Sequence, residues 1–312
     1  MSALSARVWV TWVVLGLSVG ACHVRSRGLG KPELLEQGAF IFQGRERTYR
    51  FVRPLSVVAP APLVVALHGR WGTGEGQEQL GPTAELSRVE GFFLLLPDGV
   101  DMSWHDARHV GPAARKNVDD VAFLDALTAH FMAQHGVDTK RVYLMGMSNG
   151  GMMAHTLACA HAERFAAFGS VTGNVPQALV ERCAPSKPIS AAMVLGTADP
   201  LVPYAGGDIA MTGGKVLSAD ASFQFWAQRN GCEGEPTVAE VADKLPDDGT
   251  HTRVLTQPNC NEGSETVLFS VEGGGHTWPG GWQYLTEESI GKTSRDFAAS
   301  EALWRFFQRH SR

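Results

Sequence analysis

The sequence lacks several features that would assign it to other classes of protein. Its 312 residues carry a formal net charge of −5 with no basic block, so nucleic-acid binding has no electrostatic footprint. Its 35 glycines recur with no fixed period, which argues against a repeat architecture. No low-complexity linker divides residues 38–312. With 44% hydrophobic and 19% charged residues, the composition is globular, and one large domain is the simplest organisation.

The sequence also lacks an apolar run long enough for a confident membrane span. Val8–Ala21 is apolar over 14 residues, whereas a bilayer-spanning helix needs about 20. This length, after the single basic residue Arg7, is typical of a secretory signal peptide. The run ends in "VGAC", which resembles the lipobox of bacterial lipoproteins, where the cysteine (here Cys22) is lipidated; the alternative is an ordinary signal peptide cleaved nearby.

These features predict three segments and an exported protein. Residues 1–21 are predicted to be a signal peptide of lipoprotein type, residues 22–37 a polar tether, and residues 38–312 the folded domain. The expected location is the cell envelope, as a lipoprotein, or the extracellular medium. Contact with a membrane is expected only through the N-terminal lipid.

No C-x-x-C motif occurs, which argues against a zinc ribbon or a thioredoxin-type site. Besides Cys22 there are four cysteines, an even number that predicts two disulfides in an exported chain. Three connectivities are open, and proximity in sequence favours Cys159–Cys183 and Cys232–Cys260. Four buried free thiols are the alternative.

Continuous apolar runs alternate with helical patterns along the chain. "PLVVALHG" (62–69), "FFLLLPDG" (92–99) and "RVYLMG" (141–146) do not alternate with polar residues, which indicates strands buried on both faces of a parallel sheet. Helical periodicity in residues 117–136 and 149–165 separates later strands, as in α/β proteins. Near the start, "AFIFQGRERTYRFVRP" (39–54) predicts an antiparallel hairpin around "GRE".

The stretch "GMSNGG", Gly146–Gly151, places one serine between glycines directly after a predicted strand. A tight turn would explain these residues, because Gly and Asn tolerate left-handed backbone angles. The alternative is a nucleophile elbow, a strained strand-to-helix turn that exposes the Ser148 hydroxyl for attack. The G-x-S-x-G pattern is short, so the residues elsewhere in the chain decide.

A nucleophilic serine needs a histidine base and a carboxylate that orients it, and in this kind of fold they follow in the order Ser, acid, His at strand ends. "MVLGTADP" places Asp199 just after one predicted strand, and "VEGGGHTW" places His276 just after the last. Asp208 and Asp220 lie farther from a strand end. The other histidines weighed lie on predicted helices or in a polar segment: His130, His135, His155, His161 and His251.

Such a site also needs backbone N–H donors for an oxyanion. Asn149 begins the helix after Ser148, so its N–H has no partner within that helix. "LHGRWG" follows another strand, and the N–H of Arg70 is the expected second donor, although a plain turn would explain this loop too. Removing one such donor typically costs about 100- to 1000-fold in rate.

Two further groups of residues are candidates for a role at the site. Trp104 and Trp278 flank the predicted mouth and are candidates for substrate contact, with packing beneath the loops as the equal alternative. His105 and His109, four residues apart, could ligate a metal on a helix, but they lie in a loop without an identifiable third ligand. The sequence therefore predicts no metal site.

Together, "LHG", "PDG…SWHD", "NVDDVAFL", "GMSNGG", "GTADPLVPY" and "GGGHTWPG" resemble the exported polyhydroxybutyrate depolymerase-like esterases, a group similar to feruloyl and acetylxylan esterases. The resemblance spans roughly residues 38–310. It implies an α/β-hydrolase fold and ester hydrolysis without a cofactor, with Ser148 as nucleophile, Asp199 as acid and His276 as base. It also supports the two nearest-neighbour disulfides.

The sequence therefore predicts a serine esterase acting on small or polymer-linked esters of hydroxybutyrate, feruloyl, acetyl or other short-chain type. Gly173–Lys187 is too short for a large helical lid, so a fairly open cleft is expected. A serine peptidase on the same fold, a non-catalytic binding protein on a hydrolase scaffold and a cutinase-like or lipase role are the alternatives. Peptide substrates, a fluorophosphonate probe and long-chain esters, respectively, would distinguish them.

Overall fold

The computed structural model describes residues 34–55 and 57–312. The signal peptide, Cys22 and most of the tether lie outside these residues. The strands are β1 (Leu34–Phe42), β2 (Arg45–Arg53), β3 (Ala61–Leu67), β4 (Phe93–Pro97), β5 (Val137–Met147), β6 (Ala167–Val171), β7 (Ser190–Gly196), β8 (Gly207–Asp208), β9 (Lys215–Val216), β10 (Thr237–Glu240), β11 (His251–Gln257) and β12 (Thr266–Glu272). The α-helices are α1 (Gly74–Leu80), α2 (Thr83–Glu90), α3 (Gly111–Arg115), α4 (Asp120–Gln134), α5 (Asn149–Ala160), α6 (Ala219–Arg229), α7 (Glu287–Ile290) and α8 (Ala299–Phe307).

Among the described residues, ten strands form one mixed sheet in the order β1-β2-β4-β3-β5-β6-β7-β12-β11-β10. The six central strands, from β4 to β12, run parallel. The predicted antiparallel hairpin of β1 and β2 closes one edge, and its turn is Gln43–Gly44, both with positive φ. The predicted mostly parallel α/β-hydrolase architecture is confirmed. Because parallel strands end at the same edge of a sheet, the loops after β3, β5, β7 and β12 meet there.

The central strands are apolar throughout because both of their faces are covered. All seven residues of β3 are buried. Since successive side chains point to opposite faces, Leu63, Val65 and Leu67 pack with α4, α5 and α6, while Val64 and Ala66 pack on the side of α8. Helix α8 contributes Leu303, Trp304 and Phe307 to this second layer. The sequence pattern therefore reflects a sheet placed between two layers of helices.

The predicted boundary between tether and domain is wrong by four residues. β1 begins at Leu34, so residues 34–37 belong to the sheet and not to the tether. The reason is the ladder with β2, in which each of nine residues, from Leu34 opposite Arg53 to Phe42 opposite Arg45, has a partner. A polar strand end held by backbone hydrogen bonds leaves little trace in a hydrophobic pattern.

Both disulfides join the pairs of cysteines nearest in sequence, Cys159 with Cys183 and Cys232 with Cys260. The first links the end of α5 to the segment after β6, and the second links the end of α6 to the connection between β11 and β12. Within the described residues, no helix has the length and apolar character that a bilayer crossing requires.

Candidate active site

Ser148 lies in a strained turn between β5 and α5. Its φ of 53° and ψ of −117° fall outside the regions that residues with a side chain normally occupy. The conformation is fixed on both sides, because the Ser148 N–H donates to the Val171 carbonyl at 2.8 Å and its carbonyl accepts the Met152 N–H at 2.8 Å. This is the geometry expected of a nucleophile elbow.

The glycines around Ser148 are required by close backbone approach. A Cβ on Gly150 would collide with the carbonyl oxygens of Leu67 and His68 at the end of β3. A Cβ on Gly146 would collide with the backbone of Gly150. The G-x-S-x-G spacing therefore lets α5 start directly against β3, with Ser148 between them.

His276 and Asp199 form a buried hydrogen-bonded pair on the loops after β12 and β7. The distance from His276 Nδ1 to Asp199 Oδ2 is 2.7 Å, and their side chains are 5% and 2% exposed. The other carboxylate oxygen, Asp199 Oδ1, accepts the N–H groups of Leu201 at 2.8 Å and Val202 at 2.9 Å. A carboxylate accepts only, so the proton lies on Nδ1 and leaves Nε2 free to accept one.

Hydrogen bonds join the loops after β7 and β12 to each other, and a further hydrogen bond holds the backbone of His276. The Ala198 N–H donates to the Gly274 carbonyl at 2.9 Å, and the Gly273 N–H donates to Thr197 Oγ1 at 3.0 Å. The hydroxyl of Tyr284 donates to the His276 carbonyl at 2.9 Å. Burial raises the pKa of Tyr284, with the charge of Asp199 as a smaller cause, so the phenol stays protonated and keeps this bond.

Ser148 and His276 line the same cavity, of about 360 Å³. The Ser148 hydroxyl makes no hydrogen bond to any residue that the structure describes, and the residue is partly exposed. The structure thus brings His276 and Asp199 into contact and places Ser148 on the same cavity wall.

Of the two expected oxyanion donors, Arg70 lines this cavity and Asn149 directly follows Ser148 at the start of α5. A Cβ on Gly69 would lie 3.5 Å from the Ser148 Cβ, so the loop after β3 runs beside the serine. Among the described residues, the backbone N–H groups of Arg70 and Asn149 have no acceptor, whereas the next one along the loop, of Trp71, donates to the Met102 carbonyl at 2.8 Å. Two unpaired N–H groups flanking a serine can stabilise an oxyanion.

Of the two alternatives for Trp104, the structure fits packing beneath the loops, because the side chain is completely buried and does not line the cavity. Its indole N–H donates to the His68 carbonyl at 2.9 Å. Its backbone N–H donates to Asn149 Oδ1 at 2.8 Å, and Asn149 Nδ2 donates to Asp106 at 2.7 Å. Trp104 therefore ties the loop after β3 to the start of α5, which are the two segments that carry the expected oxyanion donors.

Trp278 is likewise completely buried and does not line the cavity, so packing beneath the loops fits it too. Its indole N–H donates to Ser300 Oγ on α8 at 3.0 Å. A large aromatic ring with one polar atom is stabilised beneath the loop, because its apolar surface is buried there and its N–H has a hydrogen-bond acceptor.

His68 is the other described histidine on the cavity wall, and its hydrogen bonds exclude it as the base. Its Nε2 accepts the Gly99 N–H at 2.9 Å, so its proton lies on Nδ1, 2.7 Å from the Gly69 carbonyl. Burial lowers the pKa of His68, which favours this neutral form. His68 is therefore a support for the loop after β3.

The remaining candidates lie away from the cavity. Asp208 is exposed and 3.8 Å from Lys215, and Asp220 is exposed in the first turn of α6. His105 and His109 contact each other, Nε2 to Nδ1 at 2.9 Å. No group of three metal-ligating side chains occurs in the described part of the chain.

The residues that form the cavity mouth were missed by the sequence reasoning. Four large apolar side chains line the cavity although they are 55–80% exposed, and we call them the apolar rim: Trp71, Met211, Trp282 and Leu285. Trp71 directly follows the predicted oxyanion donor Arg70, and Trp282 follows His276 by six residues. Their position in the loops after β3 and β12 could therefore have predicted that they lie at the cavity mouth. Leu201–Thr212, between β7 and α6, supplies much of the facing wall.

Comparison with a family model and with individual relatives shows that the chain is similar to esterases. Residues 48–199 match the sequence model of a family described as esterase PHB depolymerase. The putative esterase NocK of Nocardia uniformis subsp. tsuyamanensis is 30% identical over 275 residues, which cover 84% of this chain and 79% of NocK. Feruloyl esterase B of Piromyces equi is 29% identical over 238 residues, which cover 74% of this chain but only 42% of that relative.

Among solved structures, an acetyl xylan esterase from Aspergillus awamori matches with a TM-score of 0.56 and 17% identity, over 78% of this chain and 94% of that protein. At this identity the likeness concerns the fold.

Proposed function

Because this chain belongs to the esterase PHB depolymerase family and is a carboxylic ester hydrolase, we propose that it works through an acyl-enzyme on Ser148, with His276 as base and Asp199 as its orienting acid. The observation that carries this proposal is the His276 Nδ1–Asp199 Oδ2 hydrogen bond beside the strained Ser148 turn. In the neutral imidazole, that bond leaves His276 Nε2 as the proton acceptor, and His276 and Ser148 line the same cavity.

Catalysis proceeds in two steps. Ser148 Oγ attacks the ester carbonyl carbon while His276 Nε2 takes its proton, and the imidazolium then protonates the departing alcohol. Water, deprotonated by the same nitrogen, cleaves the acyl-enzyme and restores Ser148. Asp199 stabilises the imidazolium in both steps, and its Oδ1 is held in place because it accepts two backbone N–H groups.

The tetrahedral oxyanion is stabilised by the backbone N–H groups of Arg70 and Asn149. They are held before the substrate arrives by the contacts of Trp104 with His68 and Asn149, so little reorganisation is needed. The Asn149 N–H lies at the start of α5, where the helix dipole adds a favourable field.

The substrate is an ester with a bulky or polymer-linked part. The apolar rim exposes aromatic and aliphatic surface around an otherwise partly open cavity, which suits a substrate larger than the cavity itself. Relatives named feruloyl esterase support an aromatic acyl group, and the family description supports a polyhydroxybutyrate-type ester. A panel of feruloyl, acetyl-xylan, hydroxybutyrate and nitrophenyl esters, compared by kcat/KM, ranks these substrates.

The protein acts outside the cytoplasm. Two disulfides support an oxidising compartment, as does the apolar run near the N-terminus. Labelling of Cys22 with a fatty-acid probe in an expressing bacterium tests the lipoprotein form, and an unlabelled, cleaved protein in the medium would favour simple secretion.

The test of the mechanism is Ser148→Ala with p-nitrophenyl butyrate as substrate. We expect kcat/KM to fall at least about 10⁴-fold, because no other residue replaces the nucleophile. A fluorophosphonate probe should add one label to the unaltered protein, on Ser148, and none to the variant. Retained turnover or labelling in folded Ser148→Ala would disprove the assignment.

A further inference from the structure

Gln77, on α1, is a buried amide without a protein partner in the wall of the catalytic cavity. It is 2% exposed and lines the cavity. Neither its Nε2 nor its Oε1 makes a hydrogen bond to any described residue. Its backbone N–H is engaged in the helix, 2.9 Å from the Thr73 carbonyl, so only the side chain is left unpaired.

The cavity that Gln77 lines also has apolar residues in its wall, and two of its other polar side chains, His68 and Tyr284, are already paired. The cavity also presents Leu80, Ile209 and Ile290. Both ring nitrogens of His68 are hydrogen-bonded, and the Tyr284 hydroxyl is bonded to the His276 carbonyl. Gln77 is therefore a polar group that a ligand in this cavity can pair with.

An unpaired buried amide is unfavourable for folding. Leaving a buried donor or acceptor unsatisfied costs more than an apolar side chain of the same shape would. Residues that are poor for stability but line an active site are typical of a functional constraint. The reacting carbonyl oxygen is already served by the N–H groups of Arg70 and Asn149, so Gln77 is left for a different oxygen of the substrate.

We propose that Gln77 recognises a second oxygen function of the ester, a hydroxyl or a second ester carbonyl, and so makes the enzyme prefer oxygen-substituted esters over their unsubstituted analogues. A hydroxyl would donate to Gln77 Oε1, and a carbonyl would accept from Nε2. This inference rests on the proposed ester hydrolysis and names the substituent that the site selects. A cavity built to pair with a polar group rejects the analogue without it, because its own polar atoms then stay unpaired.

The experiment compares two matched pairs of esters that differ by one hydroxyl. Ethyl 3-hydroxybutyrate and ethyl butyrate test the acyl side, and 3-hydroxybutyl acetate and butyl acetate test the alcohol side. For each pair, kcat/KM is measured by acid release for the unaltered protein, for Gln77→Met and for Gln228→Met. Methionine keeps the length of glutamine and removes its polar atoms, and Gln228 is an exposed residue of α6 that makes the same chemical change away from the cavity.

The unaltered protein should prefer the hydroxylated ester in at least one pair by about tenfold, the size expected for a neutral hydrogen bond. Gln77→Met should abolish that preference, by lowering kcat/KM for the hydroxylated ester to that of its unsubstituted analogue. Its melting temperature should equal or exceed that of the unaltered protein, which a purely structural hydrogen bond would not allow. Gln228→Met should keep the preference.

Three results would overturn the proposal. The unaltered protein could hydrolyse both members of each pair equally, which needs no variant to establish. Gln77→Met could keep the preference, or it could lower the melting temperature clearly, which would assign the amide to the fold. If the unaltered protein hydrolysed none of the four esters, the proposed function would fail together with this inference.

Discussion

At the scale of single residues, Asn149 contributes to the proposed site in two ways, through its backbone N–H and through its side chain. The backbone N–H of Asn149 has no acceptor among the described residues, while its amide side chain is bonded to Trp104 and Asp106. Asp106 is itself paired with Arg108 at 2.6 Å in the interior. A buried network of this kind is stable only when each member is satisfied, so it fixes the start of α5 against the loop that carries Trp104.

Asp199→Asn should lower kcat by about 10³- to 10⁴-fold with little change in fold. Because Asp199 Oδ1 accepts two backbone N–H groups, the asparagine oxygen should stay there and its NH₂ should face His276. The imidazole would then carry its proton on Nε2 and could not accept the serine proton. The pre-steady-state burst and kcat with p-nitrophenyl butyrate measure this loss.

Asp208→Asn is the matched control, because it makes the same change at an exposed acid near Lys215. It should leave kcat within about twofold, since exposed ion pairs contribute little. Equal loss in both variants would refute the role given to Asp199.

The sequence predicted the positions of Ser148, Asp199 and His276 because each directly follows an apolar strand, although their catalytic roles stay predictions. It could not distinguish tryptophans that are buried from those that are exposed. Trp104 and Trp71 occur in similar Gly-rich loops, yet one is completely buried and the other is 56% exposed. That difference depends on which loop packs beneath which, information that a local pattern does not contain.

At the scale of elements, the strands and helices with apolar faces were predictable and the polar ones were not. The central strands and the helices α4 and α5 follow the sequence patterns closely. Helix α1, "GEGQEQL", has no apolar periodicity. It forms because Thr73 caps it and Asp98 Oδ1 accepts the Gly74 N–H at 2.7 Å. The edge strand β10 and its neighbour β11 are largely exposed or half-buried, so they too lack a hydrophobic pattern.

Gly150→Ala tests how closely α5 must approach β3. Helix propensity alone predicts a gain of up to about 1 kcal/mol for Gly→Ala in a helix. The added Cβ would collide with the carbonyl oxygens of Leu67 and His68, and such overpacking typically costs about 1–3 kcal/mol. Packing should therefore outweigh propensity: we expect a lower melting temperature and at least tenfold lower kcat, because Ser148 moves relative to Arg70.

Gly76→Ala on α1 is the comparison for stability, since its added Cβ would lie 3.6 Å from Thr73 Oγ1, an ordinary contact. Its melting temperature should be unchanged or higher. If Gly150→Ala were as stable as Gly76→Ala, the close approach at the elbow would not be a constraint.

At the scale of the whole molecule, the disulfides should stabilise the fold through the unfolded chain. Cys232–Cys260 closes a loop with a sequence separation of 28, for which the chain-entropy relation gives about 3–4 kcal/mol. Both cysteines are only half-buried, so replacing them with serine mainly removes the cross-link. Urea unfolding of the Cys232→Ser/Cys260→Ser variant should show this loss. A change below about 1 kcal/mol would contradict the entropic account.

Buried histidine should make the stability of the whole molecule fall in mild acid. His155 is completely buried on α5, where Nε2 lies 2.9 Å from the Gly173 carbonyl and Nδ1 accepts the Trp226 indole N–H at 2.8 Å. Burial lowers the pKa of His155 from 6.5 to about 4, so between these values the unfolded chain binds a proton that the folded chain does not. Stability therefore rises with pH across this window, and His155 contributes up to about 1.4 kcal/mol per pH unit to the slope.

His155→Gln keeps a donor and an acceptor but does not titrate. Its free energy of unfolding in urea, measured from pH 4.5 to 7.5, should fall less steeply towards acid than that of the unaltered protein, by about 2–3 kcal/mol over the range. Parallel curves for the two proteins would show that His155 is not the group that links proton binding to folding.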